Sequence, residues 1–148
     1  MSPKRRRPKS RVRPQLTKQP DISPKSAEDY NAKCPVWRFS VLDLDGPFGW
    51  RLFDSSMRAV LDERAVAFES MTWQEILQTE ENHRIPIPRL SPVAQKRLSE
   101  IEQDDIEEVM SLCVRGRIRV VGIRDRHEMK VLWWDPEHRV CPSSLKHT

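Results

Sequence analysis

The stretch VMSLCVRGRIRVVGIRDRHEMKVLWWDPEH, residues 109–138, decides the fold. Val, Ile and Trp cluster in it, Gly116 stands where a first reversal would fall, and Asp125 to Glu128 makes a polar break before a second run, Met129 to Trp134. Apolar runs of strand length separated by short polar breaks read as an antiparallel ladder. The expectation is a three-stranded meander ending in a turn at Asp135-Pro136-Glu137-His138. Trp133 and Trp134, adjacent on a strand, should face opposite sides of the sheet.

Upstream, Val36 to Leu44 alternates, with Trp37, Phe39 and Val41 on one side, and predicts a half-buried first strand. Asp43-Leu44-Asp45-Gly46-Pro47 breaks it, and Trp50, Leu52 and Phe53 should pack the connection onto the core. Asp54-Ser55-Ser56 offers cap oxygens to an amphipathic helix that runs to about Glu69 through Met57, Val60, Leu61, Arg64 and Phe68. Thr72-Trp73-Gln74-Glu75 has the spacing of a capping box and predicts a short helix to about Gln78. Residues 80–90 have no period and contain Ile-Pro-Ile-Pro, which reads as a loop bearing His83 and Arg84. Ser91-Pro92 then starts a helix expected to end near Gln103. The order predicts an α+β fold in which one curved antiparallel sheet, an early strand plus the C-terminal meander, packs against two or three helices.

Charge divides the chain unevenly. Of 26 Lys and Arg and 22 Asp and Glu, residues 1–35 hold ten basic and three acidic ones, a net of +7, which leaves a net of −3 for residues 36–148. The sequence pI of about 9.2 therefore comes from the tail and says nothing about the body. Six of the twelve prolines also lie in residues 1–35. A disordered basic tail at 1–34 and a single domain at 35–148 are the expected organisation. The tail is either a solubilising extension or a phosphate-binding arm.

No apolar run follows the basic residues, so a signal peptide is not expected, and no stretch is apolar enough for a membrane span. Cys34, Cys113 and Cys141 are odd in number and lack paired spacing, as reduced thiols of a cytoplasmic protein would. His138, Cys141 and His147 fall short of the four paired ligands of a structural zinc site, so no metal is expected. The four glycines form no phosphate loop and no nucleophile elbow, and no cofactor is expected.

Two features of the meander carry chemistry. If it is extended through Arg115, then Arg115, Arg117 and Arg119 fall on one face, and with Arg126 and Lys130 they make a row able to hold successive phosphates of RNA. The same row serves equally as a solvated sheet face. In the terminal turn, His138 beside Asp135 or Glu137 could move a proton, with Arg124 nearby to stabilise a phosphorane, the parts that metal-independent RNA cleavage requires. Asp followed by Pro also simply favours a type I turn.

The ending VLWWDPEHRVCP (131–142), with GIRD (122–125) and FGWRL (48–52), resembles a group of small bacterial proteins, uncharacterised and often associated with mobile elements. That similarity spans about Trp37 to His147 and implies no activity. More loosely, the element order resembles RelE/HigB-type toxins, which are ribonucleases. The resemblance implies RNA and a cognate antitoxin-like protein as partners, and gives the site roles to Arg117, Arg119, Arg124, Asp135 and His138. The chain departs from those toxins in its long basic extension, its acidic body and its single Tyr, Tyr30. The alternative is a non-enzymatic interaction module whose terminal turn is structural.

Overall fold

The computed structural model describes residues 30–142, so the expected disorder of the tail and the position of His147 lie outside the described residues. The meander is present as read. Strands β3 (Glu108–Arg115), β4 (Ile118–Asp125) and β5 (Glu128–Asp135) pair antiparallel through two-residue turns at 116–117 and 126–127. Gly116 takes φ +58, which a glycine adopts without steric penalty. Ahead of the meander come β1 (Val36–Arg38), α1 (Arg58–Glu69), α2 (Trp73–Ile76), β2 (His83–Pro86) and α3 (Pro92–Glu100).

The α+β class holds, but the sheet is mixed. Its order is β1-β5-β4-β3-β2, with β1 parallel to β5 and every other pair antiparallel. The first strand is also shorter than its alternation suggests, because after Arg38 the chain leaves the ladder and Phe39 is 63% exposed. Residues 80–90, expected to be a loop, supply the fifth strand. The Asn82 side chain, buried, donates to the carbonyl of Ile76 and accepts from the Cys113 N–H at 2.8 Å, which sets the chain against β3. Pro86 and Pro88 are compatible with pairing there because β2 is an edge and needs donors on one side only. Two helices start as read, with the Thr72–Glu75 capping box complete and Ser91 accepting from Ala94, whereas Asp54 accepts from Ser56 to cap a 3-10 turn, Ser55–Met57, that leads into α1. They stop two or three residues earlier than expected, at Ile76 and Glu100.

Both faces of the sheet are core, not one. On the first, Val109, Val121, Leu132 and Trp133 pack with Ala94 and Leu98 of α3. On the second, Met110, Leu112, Val120, Met129 and Trp134 pack with Phe68 of α1 and Trp73 and Ile76 of α2. Trp133 and Trp134 do face opposite sides, and each is buried, at 0% and 2% exposure. A bulge reconciles this with the pattern, since Val121 pairs with Trp133 but Gly122 with Val131, leaving Leu132 as the extra residue. The bulge brings the β5 backbone close to β4. A Cβ at Gly122 would lie 2.3 Å from the Lys130 carbonyl, so only glycine fits there. The Leu132 carbonyl accepts from the Asp43 N–H at 3.1 Å and from Trp50 Nε1 at 3.2 Å. Trp50 thus packs its connection as expected, whereas Leu52 is 68% exposed.

Asp43 joins three elements at this point. Its carboxylate, buried, accepts from Arg97 Nε and Nη2 of α3 at 2.9 and 2.8 Å, from Trp133 Nε1 at 2.8 Å and from the Gly46 N–H at 3.3 Å. The Arg97 hydrogen bonds hold its pKa below the ordinary Asp value, against the opposing effect of burial.

The body also begins earlier than residue 35. Asn31 Oδ1 accepts from Arg124, the Lys33 carbonyl accepts from the Trp73 N–H, and Tyr30 stacks on His127. Deleting residues 1–29 should leave the melting temperature within about 2 °C, whereas deleting 1–33 should lower it by roughly 4–8 °C, as about 1 kcal/mol does in a domain of this size. Equal shifts from the two deletions would mean that these contacts contribute nothing. Asp43→Asn places a donor against the Arg97 guanidinium and should cost about 3 kcal/mol at pH 7 in urea unfolding. Because the folded pKa of Asp43 is lowered, its contribution is complete above the unfolded value of about 4 and is lost as pH falls through the folded one. The gap between wild type and Asp43→Asn should therefore narrow on acidification below about pH 4.

Candidate functional site

The nine residues singled out in the sequence occupy two ends of the meander. Arg115, Arg117, Arg119, Asp135, Glu137 and His138 gather around the 116–117 turn, where Arg119 is opposite Asp135 in the ladder. Arg124, Arg126 and Lys130 sit at the other end, by the 126–127 turn. Five residues of strand, from Arg119 to Arg124 and from Lys130 to Asp135, keep the backbones of the two groups roughly 17 Å apart.

Nor do Arg115, Arg117 and Arg119 form one row. The turn falls between the first and the third of them, and Val114 is bulged out of register with β4. Arg115 and Arg117 are exposed, and Arg117 pairs with Glu137 at 2.9 Å. Arg119 is buried and folds back on its own hairpin: Nη1 donates to the Gly116 carbonyl at 2.6 Å and approaches Cys113 Sγ at 3.3 Å, while Nε is buried without a partner. Burial pushes the Cys113 thiol up, which disfavours the reactive thiolate.

In the terminal turn the Asp135 carboxylate, 2% exposed, accepts from two backbone amides, Arg139 N–H at 2.8 Å and Val140 N–H at 2.9 Å. This closes the turn and puts Val140 into the first core, where its carbonyl accepts from the Ser91 N–H ahead of α3. His138 lies outside that network. It has φ +57, in the left-handed region, and its Nδ1 is buried without a hydrogen-bond partner. A non-glycine residue held there stores strain of about 1 kcal/mol or more.

At the far end, Arg124 lies 4.4 Å over the Trp73 ring and donates to the Arg126 carbonyl at 2.6 Å. Burial, then repulsion from Arg84, lowers its pKa to about 10. It is still a cation at neutral pH. Lys130 lies 3.6 Å and Arg126 3.9 Å from Asp125. In β2, Arg84 pairs with Glu108 at 3.3 Å, and His83 Nδ1 is 3.0 Å from the Glu80 carbonyl.

One site has no counterpart in the sequence reading. Between α1 and the second face of the sheet lies an almost wholly apolar cleft of about 140 Å³, walled by Trp37, Trp50, Phe68, Leu112, Val120 and Val131. Of α1 only Phe68 is fully buried, because the positions that would fill the gap are Ala65, which is short, and Arg64, which is charged. Arg64 Nε donates to the Cys113 carbonyl at 3.1 Å and its guanidinium lies 4.5 Å from the Phe68 ring centre. The Trp37 indole N–H is buried without a partner. Six separate chain segments contribute to the cleft, so no local pattern marks it.

No family model, curated protein or solved structure matches the chain. Among the described residues no group of three His, Cys, Asp or Glu is placed to hold a metal ion, and no helix is long and apolar enough to cross a membrane. If Asp135 acts as the clasp of the terminal turn, Asp135→Asn, which sets an NH2 against one of the two amides, should destabilise by about 2–3 kcal/mol in urea unfolding. A change below 0.5 kcal/mol would show that the clasp is dispensable.

Proposed function

We propose that this chain is a non-enzymatic interaction module in which the WWDPEH segment is an architectural turn. The observation that carries this reading is the Asp135 carboxylate, whose two oxygens accept from the Arg139 and Val140 amides instead of orienting His138. A general acid or base is ordinarily held by a partner that fixes its ring and tunes its proton affinity. Glu137, the other candidate, is exposed and paired with Arg117. The burial of Arg119 supports the same reading, since a guanidinium that is turned into its own hairpin, with Nη1 on the Gly116 and Ile118 carbonyls, is not presented to a phosphate in solvent.

The second reading is a toxin-like protein that binds or cleaves RNA without a metal and is held in check by an antitoxin-like partner. It rests on His138, where a buried, unpartnered ring nitrogen coincides with a left-handed backbone. Such outliers concentrate at functional sites. Exposed Arg115 and Arg139 and the exposed Arg117–Glu137 pair lie in the same part of the meander.

Induced expression of the full chain in a bacterial host, with growth and bulk RNA integrity scored for wild type and His138→Ala, separates the two. The interaction module predicts normal growth and intact RNA in both. Growth arrest with RNA breakdown that His138→Ala abolishes would replace it with the ribonuclease reading, because loss of proton transfer lowers rate by roughly a hundredfold or more.

A further inference from the structure

The cleft under α1 joins three features that seldom coincide by accident. Its walls are apolar, its volume is about 140 Å³, and the two terminal nitrogens of Arg64, one of its lining residues, meet no acceptor among the described residues. A dry apolar cavity of roughly 150 Å³ suffices for one benzene-sized molecule. It is far too narrow for a helix, whose side-chain-inclusive diameter is about 10 Å.

The polar hydrogens define the rest of the ligand. Arg64 is fixed by its Nε bond to the Cys113 carbonyl and by its contact with Phe68, and no acceptor meets its two terminal nitrogens among the described residues. Pinning the stem while leaving the terminal nitrogens open presents a planar donor fork of the kind that matches a carboxylate. The acid that also lines the cleft, Asp62, is paired with Arg58 at 3.0 Å across one turn of α1, which offsets its charge. We propose that the cleft binds a small carboxylate with a flat apolar body, of the size of a substituted benzoate, its ring between Phe68 and the sheet and its carboxylate on Arg64.

This inference is independent of whether the terminal turn is catalytic, because none of the residues lining the cleft belongs to that turn. The test uses the full chain, with 4-methylbenzoate and its neutral isostere 4-methylbenzamide as probes. Binding is followed by the fluorescence of Trp37 and Trp50 in the cleft wall and by ligand-observed NMR. A ligand of about ten heavy atoms should bind 4-methylbenzoate-fashion with a dissociation constant on the order of 0.1–1 mM, and the benzamide about tenfold more weakly. Arg64→Gln should remove that preference. Ala65→Leu fills the gap from the helix and should abolish binding while holding or raising the melting temperature. If Ala65→Leu unfolds the chain, Leu61→Phe fills the same space from the preceding turn. Absence of saturable binding by wild type, equal affinity for the two probes, or binding that survives the filled cleft would each overturn the proposal.

Discussion

The buried Asp43 carboxylate is where the irregular first third of the chain, the helix α3 and the last strand meet. A carboxylate taken from water is strongly destabilising unless its lone pairs are filled, and here Arg97, Trp133 and the Gly46 amide supply four donors. Those donors come from helix α3, strand β5 and the loop that carries Asp43 itself. The charge can be accommodated only when loop, helix and strand have all arrived, so the interaction selects one arrangement among many that would bury similar apolar area. The backbone of Asp43 adds to this by capping the carbonyl that the Leu132 bulge leaves outside the ladder. Bulge, glycine and acid are consequently one device, in which Gly122 admits the kink and Asp43 completes its hydrogen bonding.

How much of this could be read from the chain depends on the distance between the residues concerned. The meander was legible because its signals are local: β-branched residues at strand spacing, Gly116 at a reversal, and the polar break at Asp125–Glu128. Helix starts were legible for the same reason, as the Thr72–Glu75 capping box and Ser91-Pro92 satisfy donors within one turn. The parallel pairing of Val36–Arg38 with Glu128–Lys130 joins residues about ninety positions apart and leaves no local trace. Residues 83–86 read as loop because their pairing comes from Asn82 and β3, not from any alternation of their own.

The site residues show the limits of parity more sharply. Counting alternate residues put Arg115, Arg117 and Arg119 on one face, but a turn and a bulge lie within that count, and either one breaks the period. Asp135 and His138 were correctly taken as parts of one turn, yet the sequence could not reveal that the carboxylate would meet backbone amides. The cleft is the extreme case. It exists because Ala65 and Arg64 stand where a larger apolar side chain would have closed α1 onto the sheet, and an alanine in a helix gives no hint of what lies opposite it.

The two rims of the sheet bear on how the molecule behaves in a crowd. A sheet border with free amides and carbonyls is a template on which a foreign strand can grow, and repeated growth of that kind leads to fibres. Here one rim is β1, only three residues long, and the other is β2, four residues that end in Pro86 with Pro88 just beyond. Proline offers no amide to an incoming chain, and three residues are too few to hold one. Of the long, strongly apolar strands, β4 is flanked on both sides, β5 is covered by β1 at Glu128–Lys130, and β3 is covered by β2 at Glu108–Ser111. A second copy of the chain meeting either border thus finds a strand too short, or too poor in amides, to extend the ladder.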